Sequence, residues 1–218
     1  MKQKTLFIGA AILLLLVFLI ATLVYQSEKI DQSAKFAERN RANLMRMHSP
    51  ALGKADAPVV IVEFFDPACE TCREFYPLVK KMMAADRERI RLVLRYAPFH
   101  KGSDKVVAVL EAARKQGKFW PTLEALFASQ PDWAPHHAPQ VALVWPHLEG
   151  LGLNLEQLKA DISALETAQV IAQDLDDARA LNVTMTPEYF VNGKPLPNFG
   201  YEQLKKLVDE ALNEAQRR

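Results

Sequence analysis

The sequence contains few cysteines: Cys69 and Cys72 are the only two among 218 residues. A four-cysteine zinc site and a framework of several structural disulfides are therefore excluded. A purely structural staple between the two is disfavoured, because a two-residue gap closes a small loop and removes little entropy from the unfolded chain. The remaining interpretations are a redox-active dithiol and a two-thiolate site for a soft metal such as Cu(I).

The chain also lacks an excess of charge of either sign. It has 27 lysines and arginines against 26 aspartates and glutamates. No affinity for polyanions follows from this balance, and nucleic acid is not expected as a partner. Because 50% of its residues are apolar, the chain is long enough to bury one substantial globular core.

One long segment has no charge at all. Residues 6–25 are uncharged and follow Lys2 and Lys4, and this length matches the ~20 residues that cross a bilayer. A cleavable signal peptide would have a shorter apolar core of ~7–15 residues and a small-x-small cleavage site, which the sequence after Ala21 does not offer. We therefore predict a cytoplasmic tail over residues 1–5 and one transmembrane anchor over residues 6–25, with a cleaved signal peptide as the alternative. Because the lysines place the tail in the cytoplasm, the globular part is predicted in the periplasm, on the outer side of a bacterial inner membrane.

A polar segment over residues 26–57 separates the apolar run from the rest of the chain. Its apolar residues have roughly helical spacing but form only a thin stripe, interrupted by Arg41. The stripe consists of Ile30, Ala34, Ala37 and Leu44. This pattern predicts a solvated helical stalk, with a coiled-coil helix for oligomerisation as the alternative. Proline and glycine residues from Ser49 to Pro58 mark a linker, so the globular domain is predicted over residues 58–218.

The two cysteines lie where a predicted strand gives way to a predicted helix. Residues 58–65 are rich in β-branched and aromatic side chains, as in a buried strand, and a helix is predicted after Cys69. At such a turn the first sulfur meets unpaired backbone N–H groups and the positive end of the helix dipole. Both favour the thiolate, and such motifs lower a cysteine pKa from ~8.5 into the range ~3.5–7.5. The thiolate is the species that attacks disulfides.

The rest of the chain alternates between strand and helix patterns. A second strand is predicted over residues 90–96, which makes a right-handed parallel strand–helix–strand unit with the first. Consecutive amphipathic helices are predicted from Ser103 to about Asn182. Strands return at residues 188–191 and 194–196 around an Asn-Gly turn, and an amphipathic helix closes the chain. The predicted fold class is therefore α/β with a helical insertion.

Three separated features resemble one known family in combination. They are the Cys-Glu-Thr-Cys motif after an apolar strand, the helical insertion, and the segment from Val183 to Lys194, which contains Thr186-Pro187. Together they resemble the DsbA-like family of thioredoxin-fold thiol:disulfide oxidoreductases, over Pro58 to the C-terminus. The resemblance implies a thioredoxin fold with an inserted helical subdomain at about residues 103–182. It also implies thiol:disulfide exchange on protein substrates, with no metal or organic cofactor.

The resemblance assigns roles to individual residues. It makes Cys69 the exposed nucleophile and Cys72 the resolving thiol. It makes Thr186-Pro187 the loop with a cis proline that faces the dithiol and guides substrate peptides, whereas a trans turn is the alternative. Glu63 lies six residues before Cys69, where the family carries a buried acid. Burial in an apolar strand would raise the pKa of Glu63 and let it accept the Cys72 proton; the alternative is a solvent-facing carboxylate at a strand edge.

The residues between the cysteines bear on the direction of exchange. They are Glu70 and Thr71, where the DsbA type has Pro-His, and a carboxylate beside the thiolate raises the thiol pKa relative to that pair. We therefore predict a weaker oxidant than DsbA, with possible isomerase or reductase character, because Thr186 before the proline resembles the isomerase branch. The predicted partners are unfolded or misoxidised secreted proteins and a membrane redox protein that recycles the dithiol.

Two other functions stay open. A copper(I)-handling protein would use the same two thiolates with a nearby imidazole, for which His136 and His137 are candidates. Pro135 and Pro139, however, make that segment resemble an ordinary exposed loop. His100 and His147 are interpreted as polar positions at the ends of elements. A chaperone or scaffold that merely retains the fold is the remaining alternative.

Overall fold

The computed structural model describes the backbone of residues 2–217. Some side chains in the N-terminal region lie outside the described part of the chain, namely those of residues 1–6, 8–11, 29, 30, 33, 34, 37 and 39. The predicted tail over residues 1–5, the start of the predicted 6–25 anchor, and the stripe residues Ile30, Ala34 and Ala37 therefore fall outside what is described.

The described elements follow the predicted alternation of strands and helices. The strands are β1 Ala51–Leu52, β2 Val59–Phe65, β3 Ile90–Tyr96, β4 Glu188–Val191 and β5 Lys194–Pro195. The α-helices are α1 Lys2–Leu44, α2 Glu70–Ala85, α3 Ser103–Lys115, α4 Phe119–Ala128, α5 Gln130–Trp133, α6 Leu155–Ile162, α7 Leu165–Ala180 and α8 Tyr201–Gln216. Two 3-10 segments, Pro135–His137 and Val141–Leu148, lie between α5 and α6.

Over residues 2–217 the strands form one sheet in the order β1-β3-β2-β4-β5. β2 and β3 are parallel, with Val59 opposite Ile90 and Phe65 opposite Tyr96. This confirms the predicted parallel strand–helix–strand unit. On its other edge β2 pairs antiparallel with β4, which places Glu63 opposite Tyr189. The carboxyl end of the central strand β2 therefore leads directly into the cysteine motif.

β2 is apolar along nearly its whole length because both of its faces are buried. Ile61 and Phe65 pack in the larger core cluster with residues of α2, α3 and α4. Val62 and Phe64 face a smaller cluster, which also contains Leu44 from the end of α1. The sheet is thus covered by helices on both sides, as the predicted α/β class requires.

The predicted helical insertion is present between β3 and β4, and its helices run from Ser103 to Ala180. One part of it differs from the prediction. The stripe over residues 141–148, predicted as an α-helix, forms 3-10 turns instead. Pro146 lies inside them. Proline has no backbone N–H and cannot donate an α-helical hydrogen bond. The result is a compact irregular corner, which begins with the Pro135–His137 turn.

The predicted linker needs a correction at its C-terminal end. β1 lies at Ala51–Leu52 and pairs antiparallel with β3, so the sheet begins before residue 58. Leu44 is only 3% exposed, and the Phe36 ring stacks on Phe190 with centroids 6.3 Å apart. The end of the long helix is therefore packed against the domain rather than solvated.

The N-terminal part of α1 carries a row of exposed apolar side chains. Large apolar residues from Ile12 to Tyr25 are about half exposed or more, and Leu14 is 70% exposed. Over the described residues, however, no helix combines the length and the apolar character of a membrane span.

A buried ionic cluster joins the segment after α1 to the rest of the domain. Arg95 of β3 is fully buried, and its Nη2 lies 2.7 Å from Asp174 Oδ1 and 2.5 Å from Asp177 Oδ2. Arg46 Nη2 lies 2.6 Å from Asp177 Oδ1, and His48 Nε2 lies 2.6 Å from Asp174 Oδ1. Burial raises the pKa of Asp177, but the hydrogen bonds from Arg46 and Arg95 outweigh it and lower that pKa overall. Two carboxylates of α7 thus hold three separate parts of the chain together.

Candidate active site

Cys69 occupies the N-cap position of α2, with extended backbone angles of φ −76° and ψ 119°. Its backbone N–H donates to the Asp66 carbonyl at 3.0 Å, and its own carbonyl accepts from the Arg73 N–H at 3.2 Å. The sulfur therefore faces the N-terminal N–H groups of the helix, which have no partner within the helix. Both cysteines are free thiols in this structure.

The two thiols have opposite electrostatic environments. The pKa of Cys69 falls from 9.0 to about 6. The largest cause is a hydrogen bond from Cys72, which outweighs the effect of burial; the backbone N–H groups of Cys72 and Thr71 and the Thr186 side chain add to it. Burial raises the pKa of Cys72 well above its ordinary value. At neutral pH these shifts favour the thiolate at Cys69 and the thiol at Cys72; the backbone N–H groups that the predicted strand-to-helix turn supplies contribute less than the Cys72 thiol.

The loop before β4 covers the first cysteine. The Cys69 Sγ lies 3.2 Å from the Thr186 carbonyl oxygen, to which the protonated thiol donates, and the peptide bond between Thr186 and Pro187 is cis, as the family resemblance predicts. The same contact corrects another expectation. Cys69 is not an exposed residue: only 4% of its surface is accessible, because the Thr186 backbone lies against its sulfur.

A residue of the insertion fixes the turn from the other side. Gln130 is fully buried, and its Nε2 donates to the Pro67 carbonyl at 2.7 Å and to the Cys69 carbonyl at 3.0 Å. Sequence analysis did not identify Gln130. No local pattern marks it, because its partners lie more than sixty residues away in the chain.

Glu63 is buried on the face of β2 that points toward the larger core cluster. It is 1% exposed, so the alternative of a solvent-facing carboxylate is wrong. Burial raises its pKa from 4.5 to about 8, the Tyr189 hydroxyl opposes this rise, and the charge of Cys69 adds to it. Nevertheless, neither Glu63 Oε2 nor the Tyr189 hydroxyl has a hydrogen-bond partner among the described groups. We therefore regard burial as the dominant cause and expect a protonated carboxyl at neutral pH.

This carboxyl should make the stability of the protein depend on pH. Because its pKa is about 8 in the fold and 4.5 in the unfolded chain, the folded state keeps a proton that the unfolded state loses over that range. The stability linked to this proton is fully present below about pH 4.5 and is lost as the pH rises through 8. We expect Glu63→Gln to remove this loss. Between about pH 4.5 and 8, the free energy of unfolding of the variant should therefore rise by about 3–5 kcal/mol relative to that of the wild type.

The measurement is urea unfolding at several pH values with the disulfide formed, so that neither thiol titrates. Glu188→Gln is the matched control, since Glu188 is a half-buried glutamate on the adjacent strand whose pKa is also raised by burial. Glu188→Gln should change the dependence of the free energy of unfolding on pH much less than Glu63→Gln does. Parallel profiles for wild type and Glu63→Gln would show that Glu63 is ionised in the fold.

Three further residues lie beside the motif, of which the sequence analysis did not single out Asp66. Asp66 is fully buried at the end of β2, and its Oδ2 lies 2.8 Å from His100 Nδ1. The His100 ring stacks on His137, with centroids 4.7 Å apart and planes 11° from parallel. His100 does lie between the end of β3 and the start of α3, as predicted, but these contacts give it a partner at the site, and His137 belongs to a half-buried turn rather than to an ordinary exposed loop. An acid directly after a buried strand was a visible signal for Asp66, whereas nothing in the sequence links the two histidines.

The copper(I) alternative would combine the two thiolates with a nearby imidazole. The described residues contain no group of three or more histidine, cysteine or acidic side chains arranged to hold a metal ion, so neither His136 nor His137 joins the two thiols in such a group. His147 lies 3.8 Å from the Asp132 carboxylate instead. The lowered pKa of Cys69 beside the raised pKa of Cys72 is the arrangement needed for stepwise thiol–disulfide exchange.

Comparisons with known proteins agree with this chemistry. A family model described as Thioredoxin matches residues 46–210. The chain is 30% identical over 221 residues to a probable disulfide bond formation protein D of Bacillus anthracis, covering 97% of this chain and 98% of that protein. It is also 32% identical over 145 residues to a Na(+)/H(+) antiporter NhaA 3 of Salinispora tropica, but it spans only 21% of that protein's length.

Solved structures with a similar fold include a thioredoxin-like oxidoreductase and the protein BdbD. A thioredoxin-like oxidoreductase from Silicibacter pomeroyi DSS-3 is 33% identical, with a TM-score of 0.69 over 79% of this chain and 98% of that one. Oxidised BdbD from Bacillus subtilis is 29% identical, with a TM-score of 0.68 over 76% of this chain and 94% of that one.

Proposed function

The chain belongs to the DsbA-like, thioredoxin-fold thiol:disulfide oxidoreductases, and we propose that it exchanges disulfides with secreted proteins through Cys69 and Cys72. The observation that assigns a role to each cysteine is the difference in pKa between the two thiols. Cys69 has a pKa of about 6, and burial raises that of Cys72 well above its usual range. The first is therefore the nucleophile and the second is the resolving thiol.

The reaction has two steps, and its electrons balance. A substrate thiolate attacks the Cys69 sulfur of the internal disulfide, which forms a mixed disulfide and releases Cys72 as a thiolate. A second substrate thiolate then attacks the substrate sulfur of the mixed disulfide and releases Cys69. The substrate loses two electrons, and the Cys69–Cys72 disulfide gains them. In the reverse direction Cys69 attacks a substrate disulfide, and Cys72 releases the reduced substrate.

Glu63 acts as the acid and base that exchanges a proton with Cys72 during this cycle. When Cys72 is released, its thiolate lies in a buried environment that strongly disfavours charge. A carboxyl with a pKa of about 8 donates a proton at neutral pH and takes it back when Cys72 attacks. The support for this role is the charge coupling between Glu63 and Cys72, which raises the Cys72 pKa.

Thr186 and Pro187 form the surface on which a substrate segment lies. The Thr186 carbonyl contacts the Cys69 sulfur, so a peptide paired with this backbone would bring its own sulfur to the same place. Met185, which precedes them, is 59% exposed. Recognition through backbone groups suits unfolded or misoxidised proteins of varied sequence.

The domain is a weaker oxidant than DsbA, with isomerase or reductase character. Support comes from Glu70, an acidic residue in the first turn of α2, and from Thr71, which offers no imidazole to stabilise the thiolate. A less stable thiolate makes the reduced form less favourable and the disulfide a poorer electron acceptor.

The N-terminal apolar segment anchors the domain to a bacterial inner membrane in a single pass, with the globular part in the periplasm. Support comes from the exposed apolar side chains between Ile12 and Tyr25 and from Lys2 and Lys4 ahead of them. Disulfides form and persist in the periplasm. A membrane redox protein would recycle the dithiol at the same surface.

Thiol trapping in cells that produce the full chain tests two points together: the side of the membrane on which the thiols lie, and the direction of disulfide exchange. Intact cells are treated with a membrane-impermeant maleimide, and a second sample is quenched in acid and labelled after denaturation. Labelling in intact cells is expected, with Cys69→Ser as the matched control that loses it. A largely reduced pair would support the isomerase or reductase direction, whereas a largely oxidised pair would contradict it. Thiols that the same reagent labels in a native lysate but not in intact cells would contradict the periplasmic location.

A further inference from the structure

His137 lies against the turn that carries Cys69. It belongs to the Pro135–His137 turn of the helical insertion, and its Nδ1 lies 3.3 Å from the Ala68 carbonyl oxygen and 3.5 Å from the Glu70 backbone nitrogen. Ala68 and Glu70 directly precede and follow Cys69. An imidazole from a distant part of the chain therefore contacts the backbone on both sides of the reactive cysteine.

The position of this ring is fixed by a chain of contacts that starts in the core. Asp66 is fully buried and accepts hydrogen bonds from the Ala68 N–H at 2.8 Å, the His100 N–H at 2.9 Å and the Ser103 hydroxyl. His100 Nδ1 lies 2.8 Å from the same carboxylate, and the His137 ring stacks on His100. The aspartate that orders the turn therefore also orders the ring beside it.

The backbone of the insertion adopts an unusual conformation at this point. His136 and His137 both have positive φ angles, 51° and 60°, a region that residues other than glycine rarely adopt. Such conformations persist only where the surrounding structure imposes them, and they are concentrated at functional sites. Here the consequence of the conformation is that the His137 ring lies in contact with the Cys69 turn.

The ring can assist a thiolate at Cys69 in either protonation state. A neutral Nδ1 with a free lone pair accepts the Glu70 N–H, and a protonated Nδ1 donates to the Ala68 carbonyl; both contacts hold the turn in place. The titratable groups that described contacts link to the ring are His100, which stacks on it, and Asp66 behind His100.

We propose that His137 is a positioning residue for disulfide exchange, which fixes the Ala68–Glu70 backbone and thereby stabilises negative charge on the Cys69 sulfur. The inference rests on the proposed role of Cys69 as the nucleophile. It assigns to the helical insertion a direct part in the chemistry of the thioredoxin domain.

The test is the ultraviolet absorbance of the thiolate as a function of pH in the reduced full chain. His137→Ala should move the Cys69 titration upward by about half a unit or more, which corresponds to about threefold destabilisation of the thiolate. The equilibrium with glutathione should shift toward the oxidised protein by the same factor. His137→Asn, which tolerates a positive φ and keeps a polar group near the ring nitrogen, should restore part of the shift.

His136→Ala is the matched control, since it changes the adjacent exposed histidine with the same backbone conformation. Its thiolate titration should be unchanged. If His137→Ala and His137→Asn unfold more easily but titrate like the wild type, His137 is merely structural and the proposal is wrong. If the wild type shows no thiolate signal that Cys69→Ser removes, the assignment of Cys69 has failed first, and this inference fails with it.

Discussion

Cys69→Ser should abolish disulfide exchange by this protein, whereas Cys72→Ser should leave the first attack intact and stop the reaction at a mixed disulfide. The expected loss for Cys69→Ser is about a thousandfold or more in the rate of attack on a substrate disulfide, because the thiolate is the nucleophile and a serine hydroxyl is not ionised at neutral pH. Cys72→Ser should instead accumulate covalent complexes with its substrates.

The structure gives the physical reason for this asymmetry. Cys69 is mostly a thiolate at neutral pH, since its pKa is about 6. Cys72 is fully buried, and burial keeps it protonated. If Cys69 is removed, the remaining thiol is therefore both neutral and inaccessible, and it cannot take over the attack.

The measurement is non-reducing electrophoresis of cells that produce each full-length variant, together with the rate at which the purified reduced proteins react with an aromatic disulfide. Covalent complexes should appear with Cys72→Ser and disappear when a reductant is added. The double replacement of both cysteines is the control for nonspecific adducts. Complexes that form equally with Cys69→Ser would reverse the assignment of the two roles.

Arg95→Met should lower the free energy of unfolding by about 3–5 kcal/mol, the usual cost of removing one partner from a buried ionic cluster. Methionine fills much of the arginine volume and adapts to irregular space, so the loss reports the charge rather than a cavity. Asp174 and Asp177 would keep Arg46 and His48 as partners, but they would lose the fully buried cation between them.

Urea unfolding at neutral pH measures this loss. Arg91→Met is the matched control, because Arg91 lies on the same strand and its Nη1 donates to the Ala55 carbonyl at 3.0 Å. A hydrogen bond of this kind contributes about 0.5–1.5 kcal/mol. Replacing Arg95, Asp174 and Asp177 together by neutral residues should recover part of the loss. Equal effects of the two arginine replacements would mean that the cluster does not stabilise the fold.

The fold was largely predictable because its strands have distinctive local patterns. The predicted 90–96 strand agrees with β3, and 188–191 agrees with β4, since β-branched and aromatic runs bounded by turn residues leave little ambiguity. The failures lie where local pattern and long-range packing differ. β1 has only two residues, too few for any periodicity, and the 141–148 stripe has helical spacing but forms 3-10 turns, in which Pro146 removes one possible α-helical hydrogen bond.

The candidate site was predictable only where its residues are near in sequence or belong to a known motif. The cysteine motif and Thr186-Pro187 carried such signals. Gln130 and His137 did not, because each contacts the Cys69 turn through atoms more than sixty residues away. Sequence periodicity describes one element at a time, whereas these contacts depend on how the insertion folds back onto the sheet.

The position of the insertion between β3 and β4 also fixes the order in which the site is completed during synthesis. The residue that covers the Cys69 sulfur lies 117 positions after it, and β4, which pairs with one edge of β2, follows directly. A nascent chain that ends before this point would therefore present an uncovered thiol and a strand edge with unpaired backbone groups. The emerging chain is most exposed to aberrant cross-linking and edge pairing during this interval, and the interval ends only when Thr186 and β4 have emerged.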